Sequence, residues 1–309
     1  MVKPGLAALS QRYGPAMGDA ARVRPVFVVG CPRSGTSWIR NILGRHPEVH
    51  AGPESHLYPT IHGVVVSWGE HERRWAEVLT RFDGLSGHAG AGLHRWIDRA
   101  RLVQLLDAAQ LRPDPPLEVA DDLVAAVVDH YATRRRLAAG TVLVEKTPDH
   151  IRWAERILER FPDARVVEVR RDGRDVCVSM ERRARRVAWL PTDRRLQIDR
   201  WTDAIDLGLR LSVDPRFASR WLVVRYEDLT DAPNAEIDRL FAFTDVDASA
   251  ALVDGIAAAT HISRQRITGD GEHVRTGGVG DWRRYFDRSD IELFERHAGE
   301  LSRRAGYEV

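Results

Sequence analysis

Four short apolar runs rich in β-branched residues stand out along the chain: Pro25-Val-Phe-Val-Val-Gly30, Thr141–Glu145, Arg165–Val169 and Trp221–Arg225. Runs of this length without polar alternation fit strands buried on both faces, as in a parallel sheet. Each is followed by helical spacing. Thr36–Arg45 puts Trp38, Ile39, Ile42 and Leu43 on one face; Asp149–Arg160 and Gly173–Arg186 follow the second and third runs; Ala235–Phe243 follows a turn opened by Tyr226. Strands alternating with helices predict an α/β fold, a parallel sheet flanked by helices. Such sheets bind ligands outside the carboxyl ends of their strands, which directs attention to the residues just after each run.

The rest of the pattern divides the chain. Residues 1–24 mix Gly, Pro, Ala and Arg without a period and read as a loose arm before a single domain over 25–309. Residues from about 56 to 139 are mainly helical in pattern, broken at Gly84–Gly92 and at Pro113-Asp-Pro-Pro116, and read as a helical insertion over the sheet edge. The Gly-rich stretch from His261 to Gly280 reads as a mobile loop.

Composition narrows the classes. Lys and Arg number 46 against 45 Asp and Glu, so no overall field points to nucleic acid or to an anionic membrane, and any anion site must be local. Cys31 and Cys177 are the only cysteines, too few for a disulfide framework, and no apolar run has the length of a signal core or a membrane span. A cytoplasmic location is the expectation.

Three segments carry candidate chemistry. Gly30-Cys-Pro-Arg-Ser-Gly-Thr-Ser37 joins the first strand to the first helix, where backbone N–H groups and the helix dipole favour an anion. Its two glycines have the spacing of a phosphate loop, but Thr36 stands where a nucleotide triphosphatase has Lys, and the basic residue, Arg33, lies inside the loop. Arg171-Asp-Gly-Arg-Asp-Val-Cys-Val-Ser179 follows the third strand and lets the Arg171 guanidinium and the Ser179 hydroxyl converge on one phosphate. Arg275-Thr-Gly-Gly-Val-Gly-Asp-Trp282 combines a cation with three glycines in four positions, a composition suited to wrapping a phosphate. Singly, each also fits an ordinary turn or helix cap.

In this order and spacing the three segments resemble the sulfotransferase family that uses 3′-phosphoadenosine-5′-phosphosulfate (PAPS) and releases 3′-phosphoadenosine-5′-phosphate (PAP). The resemblance implies a P-loop-like sulfotransferase fold and a donor held by Arg33, Ser34, Gly35, Thr36 and Ser37 at its 5′-phosphosulfate. Arg171, Ser179, Arg275, Thr276 and Gly277 would hold the 3′-phosphate, and Trp38 and Tyr226 the adenine. Pro32–Ser37, His46-Pro-Glu-Val49 and Gly52-Pro-Glu54 look most like the tyrosylprotein branch and its bacterial relatives. By that likeness Glu54 is the base, and Lys146, in Glu145-Lys-Thr-Pro148, assists the leaving phosphate together with Arg33. Small-molecule members instead carry a His two residues after that Lys, where this chain has Pro148, and a Lys in the first loop, where it has Arg33. Thr276 also replaces a Lys common in the third motif.

The implied reaction is in-line sulfuryl transfer to a hydroxyl acceptor, on a small molecule, lipid, glycan or peptide tyrosine, with no metal. His56 and His150 are the substitute bases. The basic run Arg182-Arg-Ala-Arg-Arg186 reads as a solvated helix face or an attractor for an acidic acceptor. Two rivals remain: a nucleotide kinase or triphosphatase of the same architecture, and a non-catalytic nucleotide-binding module, which would bind PAP without turnover.

Overall fold

The structure, a computed structural model, describes residues 23–68, 75–85, 90–261 and 278–308. Most of the expected N-terminal arm and of the Gly-rich loop, including Arg275, Thr276 and Gly277, lies outside the described residues.

Five strands form one parallel sheet: β1 (Arg24–Gly30), β2 (Val49–Ala51), β3 (Val142–Lys146), β4 (Arg165–Arg170) and β5 (Trp221–Arg225), in the order β2-β3-β1-β4-β5. Four coincide closely with the apolar runs. Alternation along each strand explains the layers: Phe27, Val29, Leu143 and Val166 feed one core cluster, while Val26, Val28, Val142, Val144, Val167 and Val169 feed the other. Both faces are therefore dry, which is why the runs lack polar alternation. β2 was not expected. It is three residues long, sits between His46-Pro-Glu48 and Gly52-Pro53, and exists through its register with β3, Val49 opposite Val142 and Ala51 opposite Val144. A segment that short has no period of its own to read.

On the Val26 face lie α1 (Thr36–Leu43), α9 (Tyr226–Asp231), α10 (Pro233–Phe243) and α11 (Ala250–Thr260). α1 forms where Trp38, Ile39, Ile42 and Leu43 make one buried stripe; the fully buried Ile39, Ile42 and Leu43 each contribute about 2 kcal/mol, so Ile42→Ala would loosen the helix that carries the first loop. The Phe27 face carries α2 (Leu57–Trp68), α3 (Trp75–Leu85), α4 (Arg99–Gln110), α5 (Pro116–Arg134), α6 (Ala154–Arg160), α7 (Gly173–Ala184), α8 (Arg194–Leu211) and α12 (Arg288–Arg304). The described residues between 56 and 139 hold α2–α5 and one 3₁₀ turn at Leu93–Arg95. The helix expected from Asp149 begins as a 3₁₀ turn, Pro148–Trp153, because Pro148 occupies its first turn. α8 was also missed, although Asp193 caps it and Ile198, Trp201 and Ile205 mark its buried face.

Candidate active site

The loop after β1 is tightened on itself. The Ser34 N–H and hydroxyl both donate to the Cys31 carbonyl, at 3.1 and 2.7 Å, so Ser34 is buried as a brace of the loop. Arg33 (φ 77°) and Gly35 (φ 106°) take left-handed conformations. At Gly35 only glycine fits twice over, since a Cβ would also stand 2.6 Å from Cδ2 of Tyr226. No side chain caps α1, which begins at Thr36 with Ser37 exposed, leaving the helix start to an anion.

Three cations meet this loop. The Arg33 Nε donates to Ser179 Oγ at 3.3 Å. Burial, then the nearby charges of Arg183 and Arg171, bring Arg33 down from 12.5 to about 10. Arg171 lies over the Tyr226 ring at 4.1 Å, donates to the Gly278 carbonyl at 2.9 Å, and has a buried Nε without a partner among the described residues. Asp175 accepts from the N–H groups of Gly280 and Trp282, at 2.8 and 2.9 Å, so α7 anchors the described end of the third segment beside the other two. Arg183 is the residue that sequence reasoning missed here. It was absorbed into the basic run, yet it stands four residues after Ser179 on α7, one turn further along the same face, and no ion-pair partner faces it among the described residues. Clustered like charges with an orphaned donor make an anion cradle.

Trp38 meets Tyr226 edge-on, ring centroids 5.4 Å apart, and lines a cleft with Ile42, Leu229, Thr230, Pro233, Thr260 and His261. Both aromatics are buried in the Val26-face core, so packing and cleft-lining coincide rather than compete.

Opposite the cradle, the ends of β2 and β3 bring Glu54 and Lys146 together: Lys146 Nζ pairs with Glu54 Oε2. His56 Nε2 lies 3.4 Å from Glu54 Oε1. Burial lowers the His56 pKa against the opposing pull of Glu54, so the ring is neutral at neutral pH. His150 is fully buried and does not face this pair. Its Nε2 accepts the Tyr58 N–H at 3.3 Å, which places the ring proton on Nδ1, 2.8 Å from Glu145 Oε2.

Every strand therefore delivers something from its carboxyl end: the first loop after β1, Glu54 after β2, Lys146 on β3, Arg171 after β4 and Tyr226 after β5. Such a site can bind a phosphorylated ligand on one wall and hold a carboxylate and an ammonium against its far end.

A profile described as "Sulfotransferase family" matches residues 25–250. A putative protein-tyrosine sulfotransferase of Caenorhabditis briggsae is 26% identical over 222 residues, 72% of this chain and 65% of that protein. Protein-tyrosine sulfotransferase A of Caenorhabditis elegans is 25% identical over 72% of this chain and 50% of its own length, so the chain spans between half and two thirds of these relatives. Among solved structures, the sulfotransferase domain of the Synechococcus PCC 7002 olefin synthase superposes with a TM-score of 0.52 at 22% identity, covering 91% of this chain and 96% of that one. A mouse sulfotransferase complexed with PAP gives 0.52 at 15%, covering 96% and 88%. These two share the fold. No helix among the described residues is long and apolar enough to cross a membrane.

Proposed function

The chain belongs to the sulfotransferase family, and on that premise we propose that it moves a sulfuryl group from PAPS to a hydroxyl acceptor, with Glu54 as the base. The observation that carries the reading is the cradle of Arg33, Arg171, Arg183 and Ser179 facing the Glu54–Lys146 pair across the strand ends.

The residues fit PAPS. The unpartnered Arg171 Nε, with Ser179 and Arg183, suits the 3′-phosphate; the uncapped start of α1 suits the 5′-phosphosulfate; the Trp38–Tyr226 aromatic pair beside them suits adenine. Arg275, Thr276 and Gly277 would complete the 3′-phosphate contacts. PAPS supplies an activated sulfuryl group; the chain's residues position the partners and stabilise charge. In the transfer, the acceptor O–S bond forms as the S–O bond to the 5′-phosphate breaks. Glu54 takes the acceptor proton, and Lys146 and Arg33 face the negative charge that gathers on the departing phosphate. The Lys146 ammonium has two anionic calls, Glu54 and the donor, so engaging the donor would free Glu54 to accept a proton.

The relatives named for protein tyrosine make a phenolic hydroxyl the acceptor to try first. The test is thermal shift plus turnover in EDTA. PAP should raise the melting temperature where Mg²⁺-ATP does not, and PAPS with a phenol or an acidic tyrosine peptide should give PAP and a sulfate ester. Preference for Mg²⁺-ATP would indicate a kinase or triphosphatase, and PAP binding with no transfer to any hydroxyl a binding module.

A further inference from the structure

Glu145 is a charged side chain inside the sheet, 2% exposed, one residue before Lys146. Buried carboxylates are costly unless they are paired or hydrogen-bonded, and Glu145 is held chiefly through one oxygen. Oε1 accepts from the Ser55 N–H at 3.1 Å, the Ser55 hydroxyl at 2.6 Å and the Thr147 hydroxyl at 2.7 Å, and Oε2 faces His150 Nδ1 at 2.8 Å. Thr147 Oγ1 in turn accepts from the His56 N–H at 3.1 Å, and Ser55 Oγ from the Leu57 N–H at 3.1 Å. Ser55 adjoins Glu54 and Thr147 adjoins Lys146. One buried carboxylate therefore stitches the segment bearing Glu54 to the strand bearing Lys146.

We propose that Glu145 is a positioning residue for the transfer, setting the separation and orientation of Glu54 and Lys146 through Ser55 and Thr147. The proposal rests on the roles given to Glu54 and Lys146 above. Burial would raise the pKa of Glu145, but the facing His150 and the hydroxyl donors hold it at about 2, so it stays an acceptor for all of them at any working pH. Base and cation on separate strands must straddle one transferred group, and an error of about 1 Å in such a pair costs roughly 10²-fold in rate. Two facing strand ends joined only by backbone bonds would leave that distance to the long side chains of Glu54 and Lys146.

The test uses Ser55→Ala, which removes the shortest link together with the Leu57 N–H acceptor, and Glu145→Gln, whose N–H₂ opposes a donor whichever way the amide turns, His150 Nδ1–H on one side or Ser55 and Thr147 on the other. Each is compared with wild type for kcat on the phenol it sulfates, for PAP affinity by calorimetry, and for hydrogen exchange of residues 52–58 with PAP bound. The expected result is kcat about 10–100-fold lower in both, PAP affinity within about twofold, and faster exchange over 52–58. A residue that only supports the fold would lower the melting temperature while leaving kcat well below it unchanged. Either variant, folded and turning over within twofold of wild type, overturns the proposal, as does unaltered exchange over 52–58. Should Glu145→Gln fail to fold, Ser55→Ala decides alone. A wild type that neither binds PAP nor transfers a sulfuryl group defeats the functional reading instead, and the exchange measurement then still decides whether Glu145 orders this segment.

Discussion

Arg33 offers a prediction that separates function from stability. Burial and the charges of Arg183 and Arg171 hold its pKa at about 10 against an ordinary 12.5. At about 1.4 kcal/mol per pH unit, the charged guanidinium is disfavoured in the fold by up to about 3 kcal/mol. The sign follows: below pH 10 Arg33 is charged in both folded and unfolded states, so the full cost is present throughout the physiological range and fades only as pH rises from 10 toward 12.5. Arg33→Gln removes that cost and gives up the bond to Ser179, about 1 kcal/mol. The net is a gain of about 1–2 kcal/mol, or a melting temperature higher by on the order of 3 °C. Turnover should move oppositely, falling by roughly 10²–10³-fold, because the proposed function gives this charge to the departing phosphate. Calorimetric melting of both proteins at pH 7.5, with kcat measured in parallel, checks this. A variant that melts several degrees lower would mean that the guanidinium is net stabilising, and the repulsive anion cradle would have to be abandoned.

Replacing Glu54 by Gln keeps size and removes basicity, so kcat should fall by roughly 10²–10⁴-fold with the PAP dissociation constant, read by calorimetry, within about twofold. Gly35→Ala forces a φ of 106° on a residue with a Cβ 2.6 Å from the Tyr226 ring, which Arg171 backs from 4.1 Å; a loss of about 1–3 kcal/mol in stability and a clear loss of PAP affinity are expected, read by melting with and without PAP. For Glu145, whose folded pKa of about 2 lies below the ordinary 4.5, the stabilisation is complete above about pH 4.5 and is lost as pH falls through 2. The difference in melting temperature between wild type and Glu145→Gln should therefore be flat from pH 5 to 8 and shrink toward pH 3.

What could be read from the chain follows from how each element is stabilised. β1, β3, β4 and β5 were legible because burial on both faces leaves a local signature, and the first loop because Gly30 and Gly35 must fall at fixed places. β2 and the Glu54–Lys146 pairing were not, since both depend on residues some ninety positions apart meeting across the sheet. His150 looked like a spare base only while its burial was unknown. Arg183 was hidden by its charged neighbours; the signal that would have separated it is its four-residue spacing from Ser179 on one helix.

The position of Glu54 explains what the helices between β2 and β3 do for the site. β2 is an edge strand of three residues, and alone it would hold the segment after it weakly. Instead, five successive residues are fixed from outside. The Arg40 Nε donates to the Gly52 carbonyl at 2.7 Å, the Trp96 indole to Pro53 at 2.9 Å and the Gly92 N–H to Glu54 at 2.8 Å, while Ser55 and His56 are held by Glu145 and Thr147. Two of these five clamps, Trp96 and Gly92, come from the stretch between α3 and α4, and a Cβ on Gly52 would meet the Trp96 ring at 2.7 Å. That region is thus part of the mounting for Glu54 as well as a cover on the sheet edge, and sequence changes there should alter kcat before they alter donor binding, which the proposed function assigns to α1, α7 and the strands between them.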